Sequence, residues 1–468
     1  EALEADLIYQ GKATRVGAAP NQGGVGFPVF GQADAVRGGV VQSIGGQIFG
    51  GKAGLNSKNI GTRIQFGRMG TISNSTAKTF HVTAAAACHF DSIRPIFANN
   101  DQARSYQFSV VKASVLSSLA DDASMLNNSG TWASVTDVGL TAIPLSIPVY
   151  GSSGYRTAFT LPNFIKLSSI DRTDGGTLPL VAIRAYPSDT SATALPVYGN
   201  GGTDAADAWA SRANRKWFAR HFSGDGVTTP TNFTGGTSAT PQLQSPIIGF
   251  QYLSRGTVVT VCGIGDSLIE GRPSTGILYG ESYVHLACEA IQAAVPGLSV
   301  EYMQGGVSGQ SQANTAGNGL AGYVGRALDI LNNPAICPDV MVYQAGSPND
   351  EVTTLSAAVL QDQMRALERI VAECKKKGVA LVLVNWLPTN YAAMARGSTD
   401  SLRVGYNATL AEKYKNVVDL SAIHTGPIDG NSQYTMLYTA DGIHQNAAGN
   451  VLDAAALQTT LLSAIYGG

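Results

Sequence analysis

The stretch VVTVCGIGDSLIEG, residues 258–271, runs through five residues of almost purely apolar character and then breaks into glycines, an aspartate and a serine. A run that is apolar at every position, rather than at every second one, belongs to a strand buried on both faces, as in parallel sheets covered by helices. In such open sheets ligands bind in the crevice outside the carboxyl ends of the strands. Ser267 falls just past the end of this run, so its hydroxyl is delivered to that crevice. A plainer use also fits, because Asp266 and Ser267 are residues that cap helices and turns.

The chain that follows repeats the pattern. Further apolar runs stand at 340–343 (VMVY) and 379–384 (VALVLV), with weaker ones at 298–303 (LSVEYM) and 416–420 (NVVDL). Helical stretches lie between them. In YGESYVHLACEAIQAAVPG the residues Val284, Ala287, Cys288, Ile291 and Val295 recur at the spacing of one helix face, and Pro296-Gly297 stops it. In LQDQMRALERIVAECKKKG the stripe reads Leu360, Met364, Leu367, Val371 and Cys374. Lys375, Lys376 and Lys377 then meet the negative end of the helix dipole before Gly378. Strand, loop and helix in alternation predict a doubly wound α/β domain over residues 251–468.

Before residue 250 the character differs. Short β-like runs (TFHVTAAAACHF, SYQFSVVKASV, AFTLPNFIKLSS, LPLVAIRAY) alternate with Gly, Asn, Asp and Ser clusters, which predicts an antiparallel, sandwich-like β-rich domain over 56–250. Residues 1–55 are glycine-rich and weakly periodic, an extended arm suited to self-association, and 224–246 reads as a linker or long loop. Charged residues are only 14% of the 468 and the formal net charge is -2, which argues against nucleic acid or an anionic membrane as partner. No apolar run approaches the roughly 18 residues that span a bilayer. The five cysteines, at 88, 262, 288, 337 and 374, have no metal-ligand spacing and read as small core residues, with a single disulfide as the lesser alternative.

A serine nucleophile needs a base within hydrogen-bond reach, a group to orient that base, and donors for the oxyanion. DGIHQNAAGN, 441–450, follows the last strand and opens the final helix. Asp441 and His444, three apart in a tight loop, can set a carboxylate against Nδ1 while Nε2 faces Ser267. Other histidines compete poorly. His285 falls on the polar face of its helix beside Glu289, where solvent is the expected partner; His81, His89 and His221 are in the N-terminal region; and His424 has no carboxylate near it in sequence before Asp429. For donors, QGGVSGQS (304–311) follows the second strand and QAGSPND (344–350) the third. Gly306 offers a backbone N–H that no Cβ shields, Asn349 offers its amide, and Ser267 its own N–H. Each segment is also an ordinary turn or cap sequence. Their convergence on successive strand ends is what singles them out.

These residues reach a family. GDSL at Ser267, GGVSG at Gly306, SPND at Asn349 and DGIHQNAAG at Asp441 and His444 resemble, in order and spacing, the four blocks of the SGNH or GDSL hydrolases, over about residues 255–465. The resemblance implies a flavodoxin-like three-layer fold with a five-stranded parallel sheet. It implies Ser267 as nucleophile, His444 as base, Asp441 as its orienter, and Gly306 with Asn349 as oxyanion donors, with no metal or organic cofactor. One departure stands out: Gly346-Ser347-Pro348-Asn349 carries one residue more between glycine and asparagine than the family's third block, so a neighbouring polar group is a candidate to share the work of Asn349.

The family's substrates range from carbohydrate O-acetyl esters to lipids, thioesters and aryl esters. No long apolar lid or amphipathic segment accompanies the blocks, which favours a small acyl group. Trp209 and Trp217, in DAWASRANRKWFARHF, suit either a core or a sugar-stacking surface. The leading expectation is therefore a serine esterase deacetylating a carbohydrate, extracellular or at a cell surface. A general carboxylesterase or lipase, and a glycan-binding or fibre-like surface protein, are the alternatives. Glu270 and Arg272, just past the nucleophile, read as residues lining the substrate site or, more plainly, as surface charges.

Overall fold

The computed structural model describes residues 257–271, 282–312, 322–351, 356–389, 400–425 and 437–466 and, earlier in the chain, a series of strands. The arm at 1–55, the linker at 224–246, Cys88, Trp209 and Arg272 lie outside the described residues, as does the side chain of Trp217. The early strands are β1 (Ile60–Gln65), β2 (Arg68–Ser73), β3 (Lys78–Ala85), β4 (Phe90–Asn99), β5 (Tyr106–Val115), β6 (Ala133–Ser134), β7 (Leu145–Ile147), β8 (Thr157–Thr160), β9 (Ile165–Lys166), β10 (Leu180–Pro187), β11 (Ala194–Gly199), β12 (Trp217–Ser223) and β13 (Ile247–Ser254). The later ones are β14 (Thr257–Gly265), β15 (Leu298–Gly306), β16 (Val340–Gln344), β17 (Ala380–Val384) and β18 (Val417–Val418). Helices α1 (Ser267–Glu270), α2 (Tyr283–Ala294), α3 (Tyr323–Asn332), α4 (Ala357–Lys377), α5 (Asp400–Lys413), α6 (Ser421–His424) and α7 (Ala447–Ile465) alternate with these last strands.

The five late strands are parallel and lie in the order β18-β17-β16-β14-β15. Counted from β14, this is the 2-1-3-4-5 order of flavodoxin-like sheets, with its switch point beside β14. The side chains explain the layers. Val259, Val261, Val300, Val342, Val382 and Val384 face α2 and α7 on one side, and Cys262, Ile264, Met303, Met341, Tyr343 and Leu383 face α3, α4 and α5 on the other. Each such fully buried side chain stabilises the fold by about 1.5–3 kcal/mol relative to exposure. The helix face predicted for α2 is the buried one. In α4 the buried stripe is rotated from the predicted one: Gln363, Ala366, Leu367, Ile370 and Cys374 are buried, whereas Leu360, Met364 and Val371 only flank the core. At this edge the Gln312 side-chain amide donates to the Gln363 backbone carbonyl at 3.0 Å. Cys262, Cys288, Cys337 and Cys374 are free and buried, and burial pushes the Cys262 thiol up.

The parallel sheet does not end at β15. β1 joins it in parallel, Ile64 beside Met303, β13 and β4 follow antiparallel, and β8 and β9 both pair with β4, making one ten-stranded sheet. Residue 250, where the composition changes, falls inside β13. Side chains lock the junction. Gly61 lies against the Tyr252 ring, where a Cβ would come within 2.2 Å of Cζ. The Tyr252 hydroxyl donates to the buried Glu301 carboxylate. The Gln251 amide donates to Thr62 Oγ1 at 3.0 Å and to the Ala335 carbonyl, while Arg94 donates to Gln251 Oε1 at 2.9 and 2.7 Å. The other early strands form an antiparallel six-stranded sheet, β12-β3-β10-β5-β6 with β7 on β5, and a two-stranded ribbon, β2-β11. The side chains that decide whether these sheets pack as a sandwich lie outside the described residues.

Candidate active site

β14 passes into α1 through one residue, Asp266, whose Oδ1 accepts the Leu268 N–H at 2.8 Å. Capping by Asp266 therefore holds, and it leaves Ser267 at the first position of the helix. Ser267 Oγ lies 2.9 Å from His444 Nε2. His444 comes from the loop before α7, which is closed by the bridge between Thr439 and Gln445 and turns at Gly442 with φ +76°. Asp441 Oδ2 takes the Nδ1 side of the same ring at 2.7 Å, and its Oδ1 accepts the amides of Ile443 and His444 at 2.9 and 2.8 Å. Burial alone would raise the Asp441 carboxyl. The hydrogen bonds from the His444 ring and from these two amides outweigh it and hold the pKa at about 2. The carboxylate is thus charged at ordinary pH and fixes the ring so that Nε2 can accept a proton from the serine.

The second and third segments close on the same turn. β15 ends at Gly306, paired with Gly265 of β14. A Cβ at Gly306 would lie 2.3 Å from the Glu270 nitrogen and 2.7 Å from the Ile269 carbonyl carbon, so glycine is required here by the backbone of α1 itself. Glu270 is buried, and its Oε2 accepts the Ser308 N–H at 2.7 Å and the Ser308 hydroxyl, clamping the 304–311 loop to the serine turn. The reading of Glu270 as a surface charge is therefore corrected. Its four-residue helix turns the side chain inward, and Ser308 supplies the partners that make burial tolerable.

Asn349 stands in a 3₁₀ turn, Pro348–Glu351, after β16. Its amide donates to the Gln310 carbonyl at 3.0 Å and lies 3.5 Å from Asp266 Oδ2. The extra residue, Ser347, accepts the Asn349 N–H at 3.1 Å and donates its hydroxyl to Asp266 Oδ2. Ser347 thus holds the turn, and its proton is committed to Asp266. Gln344, the last residue of β16, donates to the same Oδ2 at 3.0 Å and accepts the Asp266 N–H at 3.2 Å. Burial raises the Asp266 carboxyl, and the bonds from Ser347, Leu268 and Gln344 and the nearby His444 charge oppose this.

Two histidines depart from expectation. His285 is partly buried: its ring stacks on Tyr302 at 5.5 Å and Nε2 lies 3.3 Å from Glu289 Oε1, because α2 lays this edge on β15. His424 does have a carboxylate, Asp453 of α7, at 2.6 Å from Nε2, and Gln445 donates to the other Asp453 oxygen at 2.9 Å. Both members are fully buried. Twenty-nine residues of sequence separate them, so local reading had no signal for the pair. Asp266, Glu270 and Gln344 were missed as organisers for the same reason. Among the described residues no group of His, Cys, Asp and Glu is placed to hold a metal ion, and no helix is long and apolar enough to cross a membrane.

A three-layer domain of this strand order, with a serine, histidine and aspartate in line at the crevice, is the architecture of the SGNH hydrolases. Residues 264–452 match the model of the GDSL-like Lipase/Acylhydrolase family. No curated protein matches the chain. Similar solved structures include a carbohydrate acetylesterase family member from Sinorhizobium meliloti (17% identity, 45% of this chain and 100% of that one, TM-score 0.34). A psychrotrophic esterase from Pseudoalteromonas (15% identity, 44% and 97%, TM-score 0.33) and a GDSL-like lipase from Bacteroides thetaiotaomicron VPI-5482 (16% identity, 44% and 88%, TM-score 0.32) are others.

Proposed function

We propose that this protein is a serine esterase that removes short acyl groups, acetyl in the first instance, from a carbohydrate. The observation that carries the reading is the in-line chain Ser267 Oγ, His444 Nε2 at 2.9 Å, and His444 Nδ1 with Asp441 Oδ2 at 2.7 Å. Ser267 attacks the ester carbonyl while Nε2 takes its proton, and Asp441 stabilises the imidazolium that forms. The N–H groups of Ser267 and Gly306 receive the developing oxyanion, and the Asn349 amide joins them by turning one N–H from its 3.5 Å contact with Asp266 Oδ2. His444 returns the proton to the departing alkoxide, water repeats the sequence on the acyl-enzyme, and the acid and free serine are released.

A small acyl group is favoured because no long apolar lid or amphipathic segment accompanies the four sequence blocks, as a fatty chain would need. The test is release of acetate from acetylated polysaccharides and from p-nitrophenyl acetate, compared with the Ser267→Ala variant. Hydrolysis by that variant at the wild-type rate would sink the reading; a preference for long-chain over acetyl esters would move it to a lipase.

A further inference from the structure

His444 and Asp441 stand in a loop whose two ends meet over the buried His424–Asp453 pair, a pair the reaction itself does not use. The chain enters the loop through Tyr438 and Thr439 and leaves it through Gln445 and Asn446. Thr439 is bridged to Gln445, and the Asn446 N–H donates to the Tyr438 carbonyl at 2.7 Å. Inside the loop, Thr439 Oγ1 accepts the Gly442 N–H at 2.9 Å and donates to Asp441 Oδ1 at 3.2 Å. Both ends rest on the same pair. At the entry the Tyr438 ring meets the His424 ring edge to face, with 5.8 Å between centroids and 82° between planes. At the exit the Gln445 side-chain amide donates to Asp453 Oδ2 at 2.9 Å, while Asp453 Oδ1 lies 2.6 Å from His424 Nε2. Gln445, Asp453 and His424 are all buried.

A buried ionisable pair is a poor means of joining two helices, because apolar residues of like volume often do so as well or better. What apolar residues cannot do is accept the Gln445 amide. That bond fixes the residue directly after His444, whose ring must reach Ser267 Oγ at 2.9 Å and Asp441 Oδ2 at 2.7 Å at once. We propose that Gln445, Asp453 and His424 are positioning residues for the general base: the pair between α6 and α7 anchors both ends of the 438–446 loop and so sets the His444 ring between Ser267 and Asp441. The inference rests on the esterase reading and deepens it, naming the groups that place its base. Placement matters at this scale, since a misplacement of about 1 Å can cost about 10²-fold in rate.

The experiment uses the full chain and p-nitrophenyl acetate, with the His444 Nδ1–H proton followed by NMR as a readout that needs no turnover. Gln445→Met removes the amide at similar side-chain length and leaves His424 and Asp453 paired. It should lower kcat about ten- to a hundredfold with KM within about twofold, and shift or broaden the Nδ1–H resonance, while near-ultraviolet circular dichroism stays native. Gln445→Glu alone sets two carboxylates face to face and should be as slow. Combined with Asp453→Asn, so that donor and acceptor change places, it should recover to within about threefold of the wild type. A link that served stability alone would lower the melting temperature of Gln445→Met and leave kcat per folded molecule and the resonance unmoved. That result, or no recovery in the double variant, would overturn the proposal. If Gln445→Met does not fold, Tyr438→Leu carries the same test from the half-buried entry of the loop. It should lower kcat about threefold or more and broaden the same resonance, and wild-type values would overturn the proposal. Should the wild type show no Ser267-dependent hydrolysis, the esterase reading falls, and the resonance in these variants still decides whether the pair places the ring.

Discussion

Each residue of the serine, histidine and aspartate set has a distinct physical duty, so each deletion has its own signature. Ser267→Ala and His444→Ala should each lower kcat by about 10⁴-fold or more, and the double variant should be no worse, because the two act as one unit; single-turnover kinetics with p-nitrophenyl acetate checks this. Asp441 is held at a pKa of about 2, below the usual 3.8. Its carboxylate therefore adds stability at pH values above 3.8, and that contribution fades as pH falls through about 2. In acid titrations followed by circular dichroism, the gap in stability between the wild type and Asp441→Asn should be largest above about pH 4 and close toward about pH 2. The buried His424–Asp453 pair does no chemistry at the serine. Removing either partner strands the other in the core, so His424→Ala or Asp453→Ala should cost about 3–5 kcal/mol by urea denaturation.

At the level of elements, the site is a set of three tight turns packed into one another. Gly306 passes so close to α1 that Gly306→Ala should push the serine turn aside, with a loss of about 1–3 kcal/mol in stability and a fall in kcat. Gly346 has φ +143°, and a Cβ there would come within 2.6 Å of the Trp386 ring, so alanine is strained at that position as well. Asp266 draws Gln344, Ser347 and Asn349 onto one carboxylate oxygen. That explains how an inserted serine is accommodated before Asn349 without opening the turn. Asn349→Ala should lower kcat about 10²–10³-fold with little change in KM, as expected of a donor that acts in the transition state.

On the scale of the whole molecule, the α/β part is not a free-standing module. Its sheet continues through β1, β13 and β4, and Ile64 and Ile96 belong to the same core cluster as Met303 and Met341. A fragment beginning at residue 255 would bare the β15 edge, unpair Glu301 from Tyr252 and open that core. It should aggregate on expression or unfold well below the full chain in thermal melts, since an exposed apolar edge invites pairing with other copies. Tyr252→Phe, which removes only the hydroxyl that serves Glu301, should destabilise the full chain by about 1–3 kcal/mol.

How much was legible follows from the range of each signal. The parallel strands, the α2 face and the four segments around Ser267, Gly306, Asn349 and His444 are written locally, in apolar periodicity and in glycine and aspartate turns, and these are properties a short window of chain carries with it. The rotated face of α4, the inward turn of Glu270, the Asp453 partner of His424 and the joining of β1 to β15 depend on which distant groups arrive opposite. Burial of a polar side chain is tolerable only where a partner stands ready, and the partner's place is set by the packed sheet. The amino-acid order by itself thus determined the strand-and-turn grammar that brings Ser267, His444 and Asp441 to one crevice. Only the tertiary structure decided which buried charges hold it together and that one sheet runs through both halves of the chain.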